Sequence, residues 1–296
     1  MPSPSDIPIG IFAKTFLRST PDENAGAVVA AGFHVVHYNL ACAGLASMPD
    51  RIDPSAIHAA RRALEKRSVA VVGLSATFNM IDPDPEKRSA GLRRLAELAP
   101  HARTLGTSLV TLCTGTRDPT DMWRGHADNA TPAAWADLCR SMQQALAIAE
   151  GADVTLAIEP ETANVVDSAH KAERLLGEMS SERLKIIVDP ANLIRADDRH
   201  RMPDVLDAFF DRLGANIVQA HAKDVIFENN EVAHVPAGTG TLDYAVYLQL
   251  LAAMPNAVPL IIHGLNESEV PHARAFVTTQ VDRAARAPVQ ARAAAR

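Results

Sequence analysis

Short apolar runs return eight times along the chain, with longer amphipathic stretches between them, and this rhythm constrains the fold more than any other feature. The runs fall at 9–13, 34–38, 69–74, 109–113, 154–158, 184–188, 217–220 and 258–262. They are rich in Val, Ile and Leu without polar alternation, the pattern of parallel strands covered on both faces. Helical patterns occupy 54–66, 86–105, 132–150, 168–179, 203–213, 242–254 and 271–285, with a shorter Ala-rich one at 22–31. Such alternation builds a parallel sheet with crossover helices. Eight units within 296 residues predict a closed (β/α)₈ TIM barrel, a single α/β domain over 1–284. An open dinucleotide-binding sheet is disfavoured, because no GxGxxG follows the first run.

Two segments break the rhythm. Residues 114–130 (TGTRDPTDMWRGHADNA) lack a periodic pattern, as lids and binding loops do. Residues 224–241 read as a small hairpin extending from the seventh strand. An Ala/Arg-rich tail, 285–296, has no core-facing stripe and is expected to be disordered. The composition, 47% hydrophobic and 22% charged, excludes a disulfide scaffold, a coiled coil and a disordered chain. With 29 basic against 35 acidic residues the net charge is −6, and no basic stretch runs through the body of the chain. Nucleic acid, which wants a cationic stripe, is not an expected partner. Cys42, Cys113 and Cys139 have no CxxC spacing and read as thiols of a reducing compartment. The start MPSPSDIP has no signal-peptide pattern, and no apolar run approaches the ~20 residues that span a bilayer. The expectation is a soluble cytoplasmic protein with no membrane contact.

In a barrel of this kind the C-terminal ends of the strands carry the active site. The fifth run ends in Glu159, the sixth in Asp189, the seventh in His221 and the eighth in His263, at spacings of 30, 32 and 42 residues. Each alone has an ordinary explanation: a strand-end Asp caps the next helix, a lone His lies on the rim, and Glu159-Pro160-Glu161 is a polar loop. Four potential ligands at the same point of four successive repeats argue for one shared metal site. Two carboxylates and two imidazoles suit Mn²⁺, Zn²⁺, Co²⁺ or Fe²⁺ better than Ca²⁺. Water or a substrate oxygen would complete the sphere.

Over roughly residues 6–280 the chain resembles the sugar phosphate isomerase/epimerase group of xylose isomerase-like TIM barrels. The matching segments are LAIE in the fifth strand, VDPANL in the sixth, HAKD in the seventh and the following VPAGTGTLDY. The resemblance implies a divalent metal (Mn, Zn, Co or Mg) held by Glu159, Asp189 and His221. Members typically add a glutamate at the end of the eighth strand, where this sequence has His263; Glu267 and Glu269 lie farther along the loop. Two-base epimerases of the group use carboxylates on opposite faces of the substrate, so the histidine puts that arrangement in question. A histidine bound to metal through one nitrogen is no free base at that nitrogen. Glu159 or Lys223 is then the catalytic candidate.

Lys223 lies two residues beyond His221, so in an extended segment both point to one side; its ordinary alternative is an ion pair with Asp224. Asn192 follows Asp189 by three and either orients the substrate or caps a turn. Substrate contacts are expected from His37, Asn79, Arg117, Trp123, His126 and Asn192, with Lys14, Asn39 and Arg124 as rim residues. Arg117 and Arg124 suit a phosphate or carboxylate, Trp123 and His126 the face of a sugar, and Cys113 reads as a packed thiol. These residues point to a metal-dependent isomerase or epimerase acting on a small keto-sugar through an enediolate-type intermediate. The alternative is a metal-dependent lyase, a decarboxylase, dehydratase or β-eliminase, on a keto-sugar or keto-acid. A non-catalytic sugar-binding barrel and a multi-zinc DNA-repair endonuclease rank below both. The partner is a small carbohydrate, and the sequence leaves a dimer or tetramer open.

Overall fold

A computed structural model describes residues 3–229 and 231–286. Eight parallel strands close into one barrel: β1 (Ile9–Phe12), β2 (Val35–Tyr38), β3 (Ala70–Ser75), β4 (Leu109–Leu112), β5 (Thr155–Ile158), β6 (Leu184–Val188), β7 (Ile217–Ala222) and β10 (Leu260–Ile262). Each pairs with its sequence neighbours, and β10 closes the ring on β1 through Ile9↔Leu260 and Ile11↔Ile262. The eight predicted strands are therefore all present.

Helices fill the crossovers: α1 (Pro21–Ala30), α2 (Pro54–Glu65), α3 (Pro85–Leu98), α4 (His101–Leu105), α5 (Pro132–Ala152), α6 (Ala169–Met179), α7 (Met202–Leu213), α8 (Tyr244–Ala252) and α9 (Val270–Arg286). Their starts are written in local chemistry. Thr20 and Glu23 form a capping box, and Asp53, Asp84, Thr131, Ser168 and Asp243 accept from the first-turn N–H groups. The single helix expected over 86–105 is two helices instead. Pro100 has no N–H to continue the ladder, so α3 stops before it and α4 resumes after it, ending at Gly106 with φ 99°. No helix among the described residues is long and apolar enough to cross a membrane.

The predicted hairpin follows β7 as β8 (Asp224–Glu228) and β9 (Glu231–Val235), paired antiparallel. The tail boundary drawn at 285 is corrected in part, since α9 continues through Arg286; residues 287–296 lie outside the described residues.

Alternate residues of a strand share a face. Helix-facing positions such as Val110, Leu156, Ile186 and Ala220 join the large core between barrel and helices, whereas Leu109, Ala157 and Ile187 form a separate small cluster. Two residues farther along the same faces come Thr111, Glu159 and Asp189. The pleat therefore delivers polar groups at the point where each strand leaves the barrel.

Backbones crowd where β1 meets its neighbours. A Cβ on Gly10 would fall 2.7 Å from both Ile261 Cδ1 and the Val35 carbonyl oxygen. Gly10→Val should therefore destabilise the protein by about 2 kcal/mol through overpacking, seen as a lower urea midpoint with an unchanged m-value.

Candidate metal centre

The four strand-end residues converge. One ligand atom from each of Glu159, Asp189, His221 and His263 lies within 4.8 Å of the others. His263 Nε2 is 3.0 Å from Asp189 Oδ2. His221 Nδ1 is 3.3 Å from Glu159 Oε1 and 4.0 Å from Asp189 Oδ2. The two imidazoles are tilted against each other with ring centres 4.4 Å apart.

Asp189 fulfils both sequence readings at once. Its Oδ1 accepts the N–H of Ala191 at 3.0 Å and caps a short 3-10 turn (Pro190–Asn192), while Oδ2 faces the cluster. Lys223 is paired with Asp189 Oδ2 at 3.4 Å and donates to Asn192 Oδ1 at 2.7 Å, and does not pair with Asp224. Asp224 is occupied elsewhere, accepting backbone N–H groups of Gly238 and Leu242 that close the hairpin loop. Asn192 in turn donates to Glu159 Oε1 at 2.6 Å, so a single amide joins the β5 carboxylate to the β7 ammonium. From behind, the α8 hydroxyls of Tyr247 and Tyr244 donate to the carbonyls of His221 and Lys223, each at 3.0 Å.

Burial governs the electrostatics. It favours neutral Asp189, but the Lys223 ammonium and His263 override it and hold this carboxyl well below the ordinary range. Burial likewise opposes ionisation of Glu159 and of His221, yet each stabilises the other's charge: Glu159 stays low and His221 is raised. His263 goes the other way, lowered by burial and by the neighbouring His221. Glu161 is pushed up to about 7 by burial and the nearby Glu159 carboxylate.

The residues present fit a divalent cation. Two buried carboxylates and two imidazoles face one point, and His221 Nδ1 is buried there without a hydrogen-bond partner. Its nearest carboxylate neighbour, Glu159 Oε1 at 3.3 Å, lies outside hydrogen-bond geometry, so the nitrogen is placed to take a ligand.

Glu159, His221 and His263 of the cluster line a cavity of about 570 Å³, within the usual range for a small-molecule site, while Asp189 is fully buried. His37, Asn192, Trp123 and Lys223 line it, as expected from the sequence, together with Lys14, Asn39 and Cys113. Trp123 is 53% exposed and stands at the mouth. Glu161, His234 and Phe12 line it too and were not singled out by the sequence reading.

Three expected substrate contacts are placed elsewhere. Asn79 donates to the Thr116 carbonyl and accepts the Thr116 and Ile81 N–H groups, fastening the start of the long loop. Arg117 pairs with Asp137 of α5 and donates to the Ile81 carbonyl at 2.9 Å. His126 is exposed, and its Nδ1 accepts from Asp128 N at 3.2 Å. Each has a local partner that a strand-end position alone does not reveal. Arg124, in the same loop, lies against Asp118 and Asp121.

The sequence profile described as xylose isomerase-like TIM barrel matches residues 25–285. The chain belongs to that family. Family resemblance extends to solved structures. The 3-keto-D-glucoside 4-epimerase YcjR from E. coli superposes with a TM-score of 0.68 at 15% identity, covering 93% of this chain and 100% of its own. A xylose isomerase-like TIM barrel protein from Mycobacterium smegmatis in complex with magnesium gives 0.71 at 15%, covering 96% and 100%. The probable 3-DHS dehydratase AsbF from Bacillus anthracis gives 0.70 at 14%, covering 92% and 99%. At these identities the likeness is one of fold. No curated protein sequence matches the chain.

Removing the Arg117 charge tests its placement. Arg117→Met should cost about 1 kcal/mol, the loss of its bonds to Asp137 and the Ile81 carbonyl, because Asp137 keeps Arg88 and Arg140 as partners, and should increase protease cutting in the 114–130 loop.

Proposed function

We propose that this protein is a divalent-metal-dependent isomerase or epimerase of a small keto-sugar, working through an enediolate-type intermediate. The observation that carries the reading is the convergence of Glu159, Asp189, His221 and His263 within 4.8 Å, with Glu159, His221 and His263 lining a cavity at the strand ends and Asp189 fully buried against them. The 3-keto-D-glucoside 4-epimerase on the same barrel supports the substrate class, and the magnesium complex of the Mycobacterium smegmatis protein supports a divalent ion.

In this reading Glu159, Asp189, His221 and His263 hold the ion. When bound, it supplies Lewis acidity to a carbonyl and an adjacent hydroxyl of the sugar. The protein's own groups do the rest. Lys223, fixed by Asn192 and Asp189, directs an ammonium toward oxygen that becomes anionic as the carbon acid ionises. Asn192 holds Glu159 in place. Proton transfer falls to the β5 edge, where Glu159 and Glu161 both face the cavity. Trp123 at the mouth packs against the sugar face and limits water.

His263 favours a second reading. The family's usual carboxylate at the end of the eighth strand is absent, so carboxylates on two opposite faces are not provided by the cluster itself. A lyase, which needs one positioned base and a leaving group, works with the set as it stands, and the dehydratase named above shares the barrel.

The experiment loads the purified protein with Mn²⁺ or Co²⁺ and follows ketoses and keto-acids by NMR in D₂O. Solvent deuterium entering beside the carbonyl, with carbon and water retained, supports isomerisation or epimerisation; release of water or CO₂ supports the lyase. Asp189→Asn should keep the fold, because its side-chain carbonyl still accepts the Ala191 N–H, yet bind the ion at least about 100-fold more weakly. Tight binding by that variant, or turnover unaffected by chelator, would sink the metal reading.

A further inference from the structure

Beneath the cluster lie three buried polar side chains, Gln219, His37 and Thr111, that none of these roles uses. Gln219 and His221 alternate along β7 and so share its inner face, and Lys223 follows directly after the strand. Gln219 is fully buried, and its amide reaches two imidazoles at once: Nε2 is 3.0 Å from His221 Nε2 and 2.7 Å from His37 Nδ1. On its far side His37 Nε2 is 3.0 Å from the Thr111 hydroxyl. Two atoms of this line are buried without a hydrogen-bond partner, Gln219 Oε1 and His221 Nδ1.

The two unpaired atoms are coupled by chemistry. With the amide nitrogen toward the rings, Gln219 donates to both imidazoles. His221 Nε2 is then an acceptor, and its proton sits on Nδ1, inside the ligand cluster. Turning the amide end-for-end uses the same heavy-atom positions with opposite polarity. Oε1 then accepts N–H from both rings, the amide NH₂ takes the unpartnered place that Oε1 leaves, Thr111 donates to His37 Nε2, and His221 Nδ1 offers a lone pair toward Glu159 and Asp189. Only this second polarity permits a bond from His221 to a cation, since a ligating nitrogen carries no proton.

Space for the amide is also specific. A Cβ on Gly73 would lie 2.8 Å from Gln219 Oε1, and the pairing of β2 with β3 slips register beside it, between Val36 and His37. Glycine at that point of β3 leaves the room in which the amide sits.

We infer that Gln219, braced by His37 and Thr111, is the positioning residue that sets the tautomer of His221 and thereby its capacity to bind the divalent ion. His37, although it lines the cavity, acts chiefly as the brace. The inference rests on the metal reading above and adds to it the residue that controls the ligand.

The test needs no turnover. Mn²⁺ and Co²⁺ affinities are measured by calorimetry and by the visible absorption of Co²⁺ for wild type, Gln219→Met, Gln219→Glu and Gly73→Ala. Gln219→Met keeps the volume and removes the acceptor, and should weaken binding roughly 10- to 100-fold with a changed Co²⁺ spectrum. Gln219→Glu retains an oxygen acceptor and should bind at least as tightly as wild type, with its spectrum. Gly73→Ala, which touches no ligand, should weaken binding in the same direction as Gln219→Met. Should the variants fail to fold, ¹⁵N-histidine NMR of the Zn²⁺-loaded wild type decides alone, the expected signature being His221 bound through Nδ1 with a proton on Nε2. Wild-type affinity and spectrum in Gln219→Met, or a loss in Gln219→Glu equal to that in Gln219→Met, overturns the inference while leaving the metal site intact; an Nδ1-protonated His221 in the loaded protein overturns it and removes His221 from the ligand set. A wild-type chain that takes up no ion overturns the metal reading and this inference together.

Discussion

Asp189 is a fully buried carboxylate, and the upper end of the barrel is arranged around keeping it ionised. Removing such a charge from water is costly unless partners replace the lost hydration. The partners come from three directions: the Ala191 N–H at the turn, the Lys223 ammonium from the end of β7, and His263 from the end of β10. Lys223 is held in turn by Asn192, which also holds Glu159, so a charge on β6 organises groups on both neighbouring strands. Because one oxygen caps the turn and the other faces the cluster, local folding and ligand geometry are satisfied by a single side chain.

The fold was readable because period and length agree. Eight apolar runs without alternation, separated by helical stretches, admit few closed topologies, and the strand-end polar residues follow from the pleat once the barrel is assumed. The four cluster residues, Lys223, Asn192, His37 and Trp123 could accordingly be placed at the cavity from the sequence. Asn79, Arg117 and His126 could not, because a position just after an apolar run says where a side chain starts and nothing of the partner it meets. Arg117 finds Asp137 on a helix 20 residues later, a pairing that only tertiary packing creates. Gln219 shows the opposite case. The alternation Gln219, His221, Lys223 was present in the sequence, but a strand judged by its last residue hides the polar residue beneath it. Pro100 was likewise visible, and its break in the helical pattern went unread because the flanking apolar spacing continued through it.

His263 changes the charge balance of the cluster more than its shape. A carboxylate there would add a third negative charge beside Asp189 and Glu159. The imidazole instead sits against Asp189 and His221, with burial pulling it toward the neutral form. In the proposed metal reading the cluster offers an ion one fewer neutralising negative charge, which would leave more of its positive charge for substrate oxygens. The same exchange shifts the remaining carboxylates toward β5, where Glu159 and Glu161 stand on one side of the cavity. In the proposed function, chemistry on one face of the sugar follows more naturally from that asymmetry than chemistry on two.

The long loop after β4 separates its fastening from its contact surface. Asn79, Arg117 and Asn129 anchor its two ends, with Asn129 joining Arg117 N to the Ala163 carbonyl, and Asp118 folds the next turn by accepting from Thr120 and Asp121. Only Met122 and Trp123, at the tip, reach the cavity. Residues that fix the loop and residues that greet the substrate are therefore different residues, and they are free to change at different rates. Such a division makes the loop modular: its tip can be rewritten for a new substrate while its root, tied to α5 and to the turn after β3, preserves the barrel beneath.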